Sequence, residues 1–462
     1  MGMVSELRQI IGGDLSIPLL DGSLRRYINL DNAASTPVLK PVQEGLNRFV
    51  EWYSSIHRGA GFKSQLASWA YEEARKLVVS FLGGDPCERV AIFGKNTTEA
   101  VNKLANRYPF KSGDVLLTSL MEHHSNDLPW RRHVKVEWVG LDGDGRVDLN
   151  HLEAKLKQHE GKVPLVAITG ASNVSGIINP IYKAADLAHK YGAQLFVDAA
   201  QLAPHRRINM GKRGEERAID YLAISAHKMY APYGTGALIG WPDVFLQGPP
   251  DYSGGGTVKF VNHEDIIWRD PPDREEAGSP NVVGVVALGF AVKTLGEIGM
   301  ETVAEHECSL TERMLSGLEK IGQIELYGTR RTDPDFRLGV VPFNVSGMPH
   351  PKTAAILGCE FGVGVRHGCF CAHPYVKSLL DFSDDESDEF YEQILRGLPV
   401  ELPGMVRISF GMYNQAGEVD FVLQAMEKIS REAYRGNYIL NPESGEYWPE
   451  GFAPRYHEFF SF

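Results

Sequence analysis

Four apolar segments in the middle of this chain are each short enough for a strand, and each one ends in polar residues. They cover residues 115–120, 165–170, 194–198 and 221–224. Residues 181–191 lie between two of these segments and have the pattern of an amphipathic helix, with Pro180 at its start and Gly192 at its end. Strands that alternate with helices in this way indicate βαβ units, and therefore an α/β fold.

The polar residues that follow these strands indicate where a functional site would lie. Open parallel sheets bind ligands beyond the carboxyl ends of their strands. Polar clusters after four successive strands therefore predict one convergent site. Its candidate members are Glu122, His123 and His124, then Ser172 and Asn173, then Asp198 and Gln201, and finally Ser225, His227 and Lys228.

The composition of the 462 residues restricts the class of protein. Hydrophobic residues make up 43% and charged residues 23%, which is typical of a soluble globular protein and excludes a disordered or collagen-like chain. The net charge of −12 repels polyanions, so we expect no nucleic-acid partner. No apolar run approaches the ~20 residues that span a bilayer, and residues 1–20 lack the pattern of a signal peptide. We therefore expect a cytoplasmic protein that does not bind membranes.

The last part of the chain predicts a second, smaller domain. From about residue 273 onward, helical patterns mix with short strands such as 340–344 and 406–410, which is typical of a small α/β domain. We interpret the acidic run at 381–389 as a solvated loop. The segment 438–462 has too many aromatic residues for a disordered tail, so we expect it to pack on the body or on a partner subunit.

Lys228 and Asp198 together predict a particular chemistry. A lysine at a strand end is usually a solvated surface group. Asp198, however, follows three apolar residues that should be buried, where a carboxylate must be paired. Enzymes that use pyridoxal 5′-phosphate (PLP) need a lysine that forms a Schiff base and a carboxylate that keeps the ring nitrogen protonated. Lys228 and Asp198 fit these two roles.

A phosphate group also needs a cradle of backbone N–H groups and hydroxyls at a helix start. Thr97 and Thr98 follow a short apolar stretch and can open the next helix, so they are candidates for this cradle. Taken alone, the segment is explained equally well by a simple helix cap. Residues 254–257, Gly-Gly-Gly-Thr, are a second and weaker candidate for binding an anion.

Eight motifs occur in order between residues 27 and 426, at 27–35, 57–59, 97–99, 122–124, 197–201, 225–228, 276–281 and 366–374. They include Asp-Ala-Ala-Gln at 198–201, Ser-Ala-His-Lys at 225–228 and Arg-His-Gly-Cys-Phe-Cys-Ala-His-Pro at 366–374. In this order the motifs resemble those of the class V aminotransferase-fold enzymes. The sequence is most similar to SUF-type cysteine desulfurases and selenocysteine lyases.

The resemblance implies the fold of PLP-dependent transferases of fold type I. In this fold a large domain has a mainly parallel, seven-stranded sheet flanked by helices, and a smaller C-terminal α/β domain follows it. On this basis residues 27–280 form the large PLP-binding domain and residues 281–437 the small domain. Residues 1–26 are an N-terminal segment that belongs to the small domain, and 438–462 are a C-terminal extension. The resemblance also implies a homodimer.

The resemblance assigns a role at the cofactor to each matching residue. Lys228 binds PLP covalently, and His123 stacks on the ring and relays protons. Asp198 pairs with the ring nitrogen, while Asn173 and Gln201 address the phenolic oxygen. The residues that hold the phosphate are Thr97, Thr98, Ser225, His227 and, from a second subunit, Thr257.

The resemblance also assigns the substrate contacts and a nucleophile. Arg407 binds the carboxylate of L-cysteine or a related sulfur or selenium amino acid, with Asn32, Ala33 and Arg366 as further substrate-binding residues. Cys371 aligns with the cysteine that forms a persulfide in this family. Nearby basic residues also favour a reactive thiolate there. The implied reaction converts L-cysteine to L-alanine and leaves the sulfur on Cys371.

Three features depart from the family pattern. Cys369 stands two residues before Cys371, where a histidine is usual, and its sulfur could receive or resolve a persulfide. An insertion that includes the acidic run separates Cys371 from Arg407, and the segment after about Tyr438 has no counterpart. These departures leave open which protein accepts the sulfur.

Other functions also remain open at this point. The same scaffold could carry a C–S lyase, a selenocysteine lyase, an epimerase or an aldolase-like enzyme that does not use Cys371 as sulfur acceptor. A protein from a different class, a sulfur-carrier scaffold that docks a partner, is also possible. We expect no metal, because residues 142–153 lack the required calcium-loop glycine and the His and Cys spacings do not match a zinc site.

Overall fold

The computed structural model describes Leu7 and residues 9–57, 59–396 and 403–462. Arg58, in the motif at 57–59, and part of the predicted N-terminal segment therefore lie outside the described residues. The strands are β1 (Ser16–Pro18), β2 (Leu24–Arg26), β3 (Ile28–Asn29), β4 (Val90–Gly94), β5 (Val115–Ser119), β6 (Lys135–Val139), β7 (Leu165–Thr169), β8 (Gln194–Asp198), β9 (Tyr221–Ser225), β10 (Gly236–Gly240), β11 (Val258–Val261), β12 (Ile266–Trp268), β13 (Ile324–Leu326), β14 (Val340–Val345), β15 (Val363–Gly364), β16 (Arg366–Gly368), β17 (Met405–Ser409), β18 (Tyr438–Asn441) and β19 (Glu446–Pro449). The α-helices are α1 (Lys40–Val50), α2 (Phe62–Phe81), α3 (Thr97–Arg107), α4 (Leu149–Gln158), α5 (Ile181–Lys190), α6 (Asp243–Leu246), α7 (Val282–Ile298), α8 (Met300–Leu318), α9 (His350–Phe361), α10 (His373–Leu379), α11 (Asp384–Leu395) and α12 (Ala416–Ser430).

Seven of the described strands form one large sheet, and the four predicted strands are confirmed as β5, β7, β8 and β9. The strand order is β4-β10-β9-β8-β7-β5-β6. Neighbours from β9 to β6 pair in parallel, whereas β10 is antiparallel to both β9 and β4. The predicted helix at 181–191 is α5, which follows Pro180 and ends before Gly192. The sheet is therefore mainly parallel, as the fold class predicted.

Both faces of this sheet are covered by helices. Val166 and Ile168 of β7 belong to the same hydrophobic cluster as α1, α2 and α7, whereas Leu165 and Ala167 pack on the opposite face with α3. This is the alternation expected of a strand. Every residue of β7 is buried, as in β5 and β9. Burial on both faces explains why these strands are continuous apolar runs in the sequence.

A second, smaller core lies around the four-stranded antiparallel sheet β13-β14-β17-β16. Apolar residues of α8, α9 and α12 pack against it. Helix α7 lies beyond the predicted domain boundary at residue 281 but packs with the large sheet. Its Val285, Leu288 and Val292 belong to the large hydrophobic cluster, because α7 contacts α1 and α2. The predicted domain limits otherwise stay predictions.

The acidic run at 381–389 forms part of a helix, whereas the sequence predicts a loop. The predicted loop at 381–389 is wrong from residue 384 onward, because helix α11 begins there. Ser383 and Glu386 form a capping box, in which Glu386 accepts the Ser383 N–H at 2.8 Å and the Ser383 hydroxyl accepts the Glu386 N–H at 3.3 Å. Two backbone donors are satisfied in this way, so Ser-x-x-Glu begins a helix despite the density of negative charge.

The C-terminal extension packs on the body of the protein. Strands β18 and β19 form an antiparallel hairpin. Tyr438, Tyr447 and Phe452 join the smaller hydrophobic core, and the Tyr438 hydroxyl donates to the Glu360 carboxylate at 3.2 Å. The extension is therefore held by both apolar and polar contacts, so of the two expected arrangements, packing on the body or on a partner subunit, the structure shows the first.

Within the described ranges, no single helix has the length and hydropathy needed to cross a membrane. Helices α7 and α8 meet these criteria only when taken together, and they meet at an angle of 77°.

Candidate functional site

A cavity of about 280 Å³ lies beyond the carboxyl ends of β7, β8 and β9, where the sequence predicts a convergent site. Its volume is close to the lower end of the range of about 300–1,000 Å³ that is usual for small-molecule sites. The residues that line it are Ala33, Ala34, Asn96, Thr97, Thr98, His123, Ser125, Thr169, Ala171, Asn173, Asp198, Ala200, Gln201, Ser225, His227, Lys228, Arg366, Phe370, Cys371 and Arg407. The cavity thus brings together most of the residues to which the sequence assigns a role.

Lys228 is placed by a turn of 3₁₀ helix, Ala226–Lys228, which follows β9 directly. Burial lowers the pKa of its amine to about 8; Arg407 acts in the same direction and Asp198 opposes it. A larger fraction of the amine is therefore neutral near pH 7 than for an exposed lysine. A neutral amine is the form that can attack a carbonyl carbon.

Asp198 is the last residue of β8 and is 5% exposed. Its carboxylate accepts the backbone N–H of Ala200 at 2.9 Å, and within the described ranges it forms no ion pair. Burial raises the pKa of Asp198, and Lys228 opposes this shift. A buried carboxylate without a cationic partner is costly. A protonated ring nitrogen in the cavity would supply that partner, so Asp198 fits PLP.

Hydroxyl and backbone N–H groups gather at the start of α3, which faces the cavity. The Thr97 N–H donates to Ser225 Oγ at 2.9 Å, and the two hydroxyls lie 2.8 Å apart. Thr98 Oγ1 lies 2.7 Å from Ser125 Oγ. Asn96 is the N-cap, since its side chain accepts the Glu99 N–H. The segment is therefore a capped helix start, and because its threonines line the cavity it also fits a phosphate group.

Two histidines in the cavity are neutral at pH 7. Burial, with a smaller contribution from the Lys228 charge, lowers the pKa of His123 to about 3 and that of His227 to about 4. The Nδ1 atom of His123 accepts the Ser125 N–H at 3.1 Å, which fixes the orientation of the ring. A neutral imidazole can accept a proton or lie against an aromatic ring without adding positive charge.

Arg407 reaches the cavity from β17 and is 3% exposed. It donates to Asp31 Oδ1 at 2.9 Å and to the Asn173 carbonyl at 3.0 Å, while its buried Nε has no hydrogen-bond partner among the described residues. Burial lowers the pKa of Arg407 to about 10, so the guanidinium remains charged at pH 7. Arg366 donates to the other oxygen of Asp31 at 3.0 Å. Asp31 thus joins the two cationic side chains that can bind a carboxylate.

Cys371 and Cys369 have different environments. Cys371 is exposed and lines the cavity. Cys369 does not line it; its thiol donates to the Pro403 carbonyl at 2.7 Å, and burial raises its pKa to about 11. The backbone explains the difference, because Phe370 and Cys371 have φ values of 52° and 55°. The segment is a left-handed turn rather than a strand that would point both sulfurs the same way.

Two residues with predicted roles do not line the cavity. The Asn32 amide is buried, donates to the Ser409 carbonyl at 2.9 Å and accepts the Tyr413 hydroxyl at 2.6 Å. Its assigned contact with substrate stays a prediction, which this burial does not favour. Thr257 donates to the Gly254 carbonyl at 2.7 Å, and its predicted role requires a second subunit.

Sequence reasoning missed some residues at the site. Asp31 lies inside the motif at 27–35, but no local sequence pattern marks it as a site residue. Its hydrogen-bond partners, Arg366 and Arg407, lie far away in the sequence. The sequence predicts His124 as a member of the convergent site but assigns it no role. Its N–H donates to the Cys371 carbonyl at 2.7 Å, and its ring stacks on His373 with centroids 4.8 Å apart.

Known proteins resemble the chain over most of its length. Residues 28–422 match the protein family described as Aminotransferase class-V. A cysteine desulfurase of Haloferax volcanii is 32% identical over 438 residues, which cover 93% of this chain and 95% of the relative. A cysteine desulfurase of Dickeya dadantii is 31% identical over 412 residues, with 87% and 92% of the two chains covered.

Solved structures show the same similarity. The apo structure of a cysteine desulfurase from Thermococcus onnurineus has a TM-score of 0.77 at 33% identity and covers 88% of this chain and 95% of its own. The S-sulfonic acid form of the cysteine desulfurase CsdA from Escherichia coli has a TM-score of 0.76 at 25% identity, with 94% and 99% covered. The fold is therefore shared with these proteins over nearly their whole length.

Proposed function

This chain belongs to the aminotransferase class-V family, and from that premise we propose that it is a PLP-dependent cysteine desulfurase that converts L-cysteine to L-alanine and holds the sulfur as a persulfide on Cys371. The observation that carries the proposal is the presence of the Cys371 thiol in the same cavity as Lys228 and Asp198. Relatives named as cysteine desulfurases, at about the same length, support it.

Different residues of the cavity would bind different parts of the cofactor. Lys228 would bind PLP covalently, and Asp198 would hold a proton on the ring nitrogen. Thr97, Thr98 and Ser225 would bind the phosphate with their hydroxyls and the N–H groups of α3. When bound, PLP supplies an electron sink that stabilises negative charge at the substrate Cα.

The substrate would be held by its carboxylate. Arg407 offers the geometry for two parallel hydrogen bonds to a carboxylate, and Asp31 fixes its orientation. His123 is neutral at pH 7, so its imidazole can accept a proton and pass it on beside the PLP ring. Lys228, with its pKa lowered to about 8, is a base suited to removing the Cα proton near neutral pH.

The sulfur transfer needs no external oxidant. The Cys371 thiolate attacks the substrate sulfur, an S–S bond forms and the substrate Cβ–S bond breaks. The bonding electrons remain on the carbon side, which is then protonated to give alanine. In total, L-cysteine and one enzyme thiol give L-alanine and one enzyme persulfide. Elimination of the substrate sulfur as sulfide, followed by hydrolysis to pyruvate and ammonia, would instead be the reaction of a C–S lyase.

We also propose a homodimer in the cytoplasm. The hairpin β11–β12 follows the Thr257 loop and exposes Phe260, Val261, Ile266 and Ile267, which supports burial by a second copy. A reducing compartment would keep Cys371 as a free thiol. Light scattering of the purified protein at several concentrations tests the dimer; a monomer throughout would contradict it.

Product analysis tests the function. Incubation of the purified protein with L-cysteine should give alanine, and a thiol reductant should release sulfide in equal amount. Pyruvate and ammonia in place of alanine would indicate a C–S lyase instead. Turnover of L-selenocysteine but not L-cysteine would indicate a selenocysteine lyase.

Asp198→Ala should lower turnover more than a hundredfold, because a loss of ~3 kcal/mol of transition-state stabilisation has that effect. The fold should persist, since the side chain has one backbone hydrogen bond to lose. Asp220→Ala is the matched control, because Asp220 is also buried but is not among the residues that line the cavity. We expect that variant to lose stability without losing turnover per folded molecule. Near-normal turnover in Asp198→Ala would refute the electron-sink argument.

Arg407→Lys should lower kcat/KM for L-cysteine by about 30-fold, mainly through KM. A charge-assisted hydrogen bond contributes about 2 kcal/mol, and lysine cannot donate two parallel bonds. Steady-state kinetics of alanine formation measure the effect. Arg313→Lys is the control, since Arg313 also donates two hydrogen bonds to an aspartate, at 2.6 and 2.8 Å, but on the surface. An unchanged KM in Arg407→Lys would show that Arg407 does not bind the substrate carboxylate.

A further inference from the structure

The turn that carries Cys371 has a backbone that needs support from its surroundings. Gly368, Phe370 and Cys371 all have positive φ values, of 105°, 52° and 55°. Residues other than glycine adopt this conformation at an energetic cost, so it persists only where neighbouring contacts hold it. The direction of the Cys371 side chain depends on those contacts.

Two contacts hold the turn from inside the protein. The Asn173 side chain donates to the Phe370 carbonyl at 2.8 Å. The His124 N–H donates to the Cys371 carbonyl at 2.7 Å. Both come from loops that follow strands of the large sheet, so they restrain the side of the turn that faces the cavity.

The chain that enters the turn is strand β16, which lies at the edge of the small sheet. Among the described strands it has one neighbour, β17, with which it pairs along three residues. Short edge strands with one paired side open more easily than central strands. The residue in the middle of β16 is His367, whose ring lies 5.4 Å from that of His350.

The C-terminal hairpin supplies a restraint on this strand. His367 Nε2 lies 2.8 Å from Glu446 Oε2, at the start of β19. The two side chains are 21% and 55% exposed. The family match ends at residue 422, so this contact comes from a part of the chain outside the matched region. The hairpin itself is anchored in the small core by Tyr438 and Tyr447, and it can therefore hold the strand in place.

We propose that the C-terminal hairpin positions the Cys371 turn through the hydrogen bond between Glu446 and His367. Glu446 is a positioning residue, because it acts on Cys371 through His367 and the backbone of β16. The inference rests on the proposed function in so far as the turn carries the sulfur-accepting thiol. Its physical content, the restraint of the turn, can be measured without turnover.

The test compares Glu446→Ala with Glu443→Ala in the full-length protein loaded with cofactor. Glu443 lies in the turn of the same hairpin, and among the described residues its side chain makes no hydrogen bond or ion pair. The readout is the rate at which iodoacetamide alkylates Cys371, measured by peptide mass spectrometry. Cys87 is exposed and serves as the reference thiol in the same sample.

In Glu446→Ala we expect Cys371 to be alkylated about twofold to fivefold faster relative to Cys87. This is the size of effect expected from the loss of one partly exposed hydrogen-bonded pair. Alanine formation at saturating L-cysteine should fall by a similar factor. Glu446→Gln keeps a hydrogen-bonding group and should recover at least half of both effects. In a His367→Ala background, Glu446→Ala should have no further effect.

A change below twofold in Glu446→Ala, an equal change in Glu443→Ala, or an undiminished effect in the His367→Ala background would each overturn the inference. Alkylation does not require desulfuration. If the unmodified protein formed no alanine, the proposed function would fail while the alkylation rates still decided the role of the hairpin.

Discussion

Lys228→Ala should give a folded protein with no covalently bound PLP, and alanine formation from L-cysteine should fall by at least about a thousandfold. The amine of Lys228 is both the attachment point for the cofactor and the base best placed to remove the Cα proton, so one substitution removes two functions. Lys228 lines the cavity, and its pKa is lowered to about 8 by burial.

Borohydride reduction of the unmodified protein, followed by peptide mapping, should place the pyridoxyl group on Lys228. Lys95→Ala is the control, because Lys95 is an exposed lysine next to the cavity-lining Asn96. It should keep the cofactor and its activity. A pyridoxyl group on any other lysine would contradict the assignment of Lys228.

Cys371→Ser should abolish alanine formation while PLP remains bound. A serine hydroxyl at neutral pH is a far weaker nucleophile than a thiolate, and among the described residues the Cys371 thiol makes no hydrogen bond that the substitution would remove. The assay is alanine formation from L-cysteine, with and without a reducing thiol, together with the absorption spectrum of the bound cofactor.

Cys369→Ser is the matched control, since it makes the same change two residues away. The Cys369 thiol donates to the Pro403 carbonyl and does not line the cavity, so this variant should still form alanine. If Cys371→Ser kept the parent rate and Cys369→Ser did not, the nucleophile would be Cys369. If both variants still formed alanine at the parent rate, neither thiol would be the required sulfur acceptor, and an enzyme that does not use Cys371 would replace the desulfurase.

The position of the site could be predicted from the sequence because it follows from local patterns. Strands β7, β8 and β9 are apolar runs that end at Thr169, Asp198 and Ser225, and parallel pairing places those ends at one edge. Most of the polar residues predicted for the convergent site therefore line one cavity, whereas Glu122, His124 and Ser172 do not line it. The fold class and most residues of the cavity follow from this one rule together with the family motifs.

Other features could not be predicted because they depend on contacts between distant parts of the chain. Asp31 binds Arg407 across most of the sequence, and Glu446 binds His367 from a segment without a family pattern. The left-handed conformation of Phe370 and Cys371 has no sequence signal either, since these residue types rarely adopt it. It persists through hydrogen bonds from Asn173 and His124.

The acidic run shows a competition between two local signals. A dense group of negative charges favours a solvated loop, whereas Ser383 and Glu386 have the spacing of a capping box. The capping box prevails because it satisfies backbone donors directly, while exposed charges are screened by solvent. The side chains of the run that the structure describes are largely exposed, so the run is solvated as expected, although from residue 384 onward it forms a helix rather than a loop.

Mass spectrometry of the purified protein after incubation with L-cysteine tests the central claim most directly. The peptide that contains both Cys369 and Cys371 should gain the mass of one sulfur atom, and fragmentation should place it on Cys371. A reducing thiol should remove it, and Cys371→Ser should not acquire it. Alanine formation without any sulfur on Cys371, or sulfur found only on Cys369, would contradict the account.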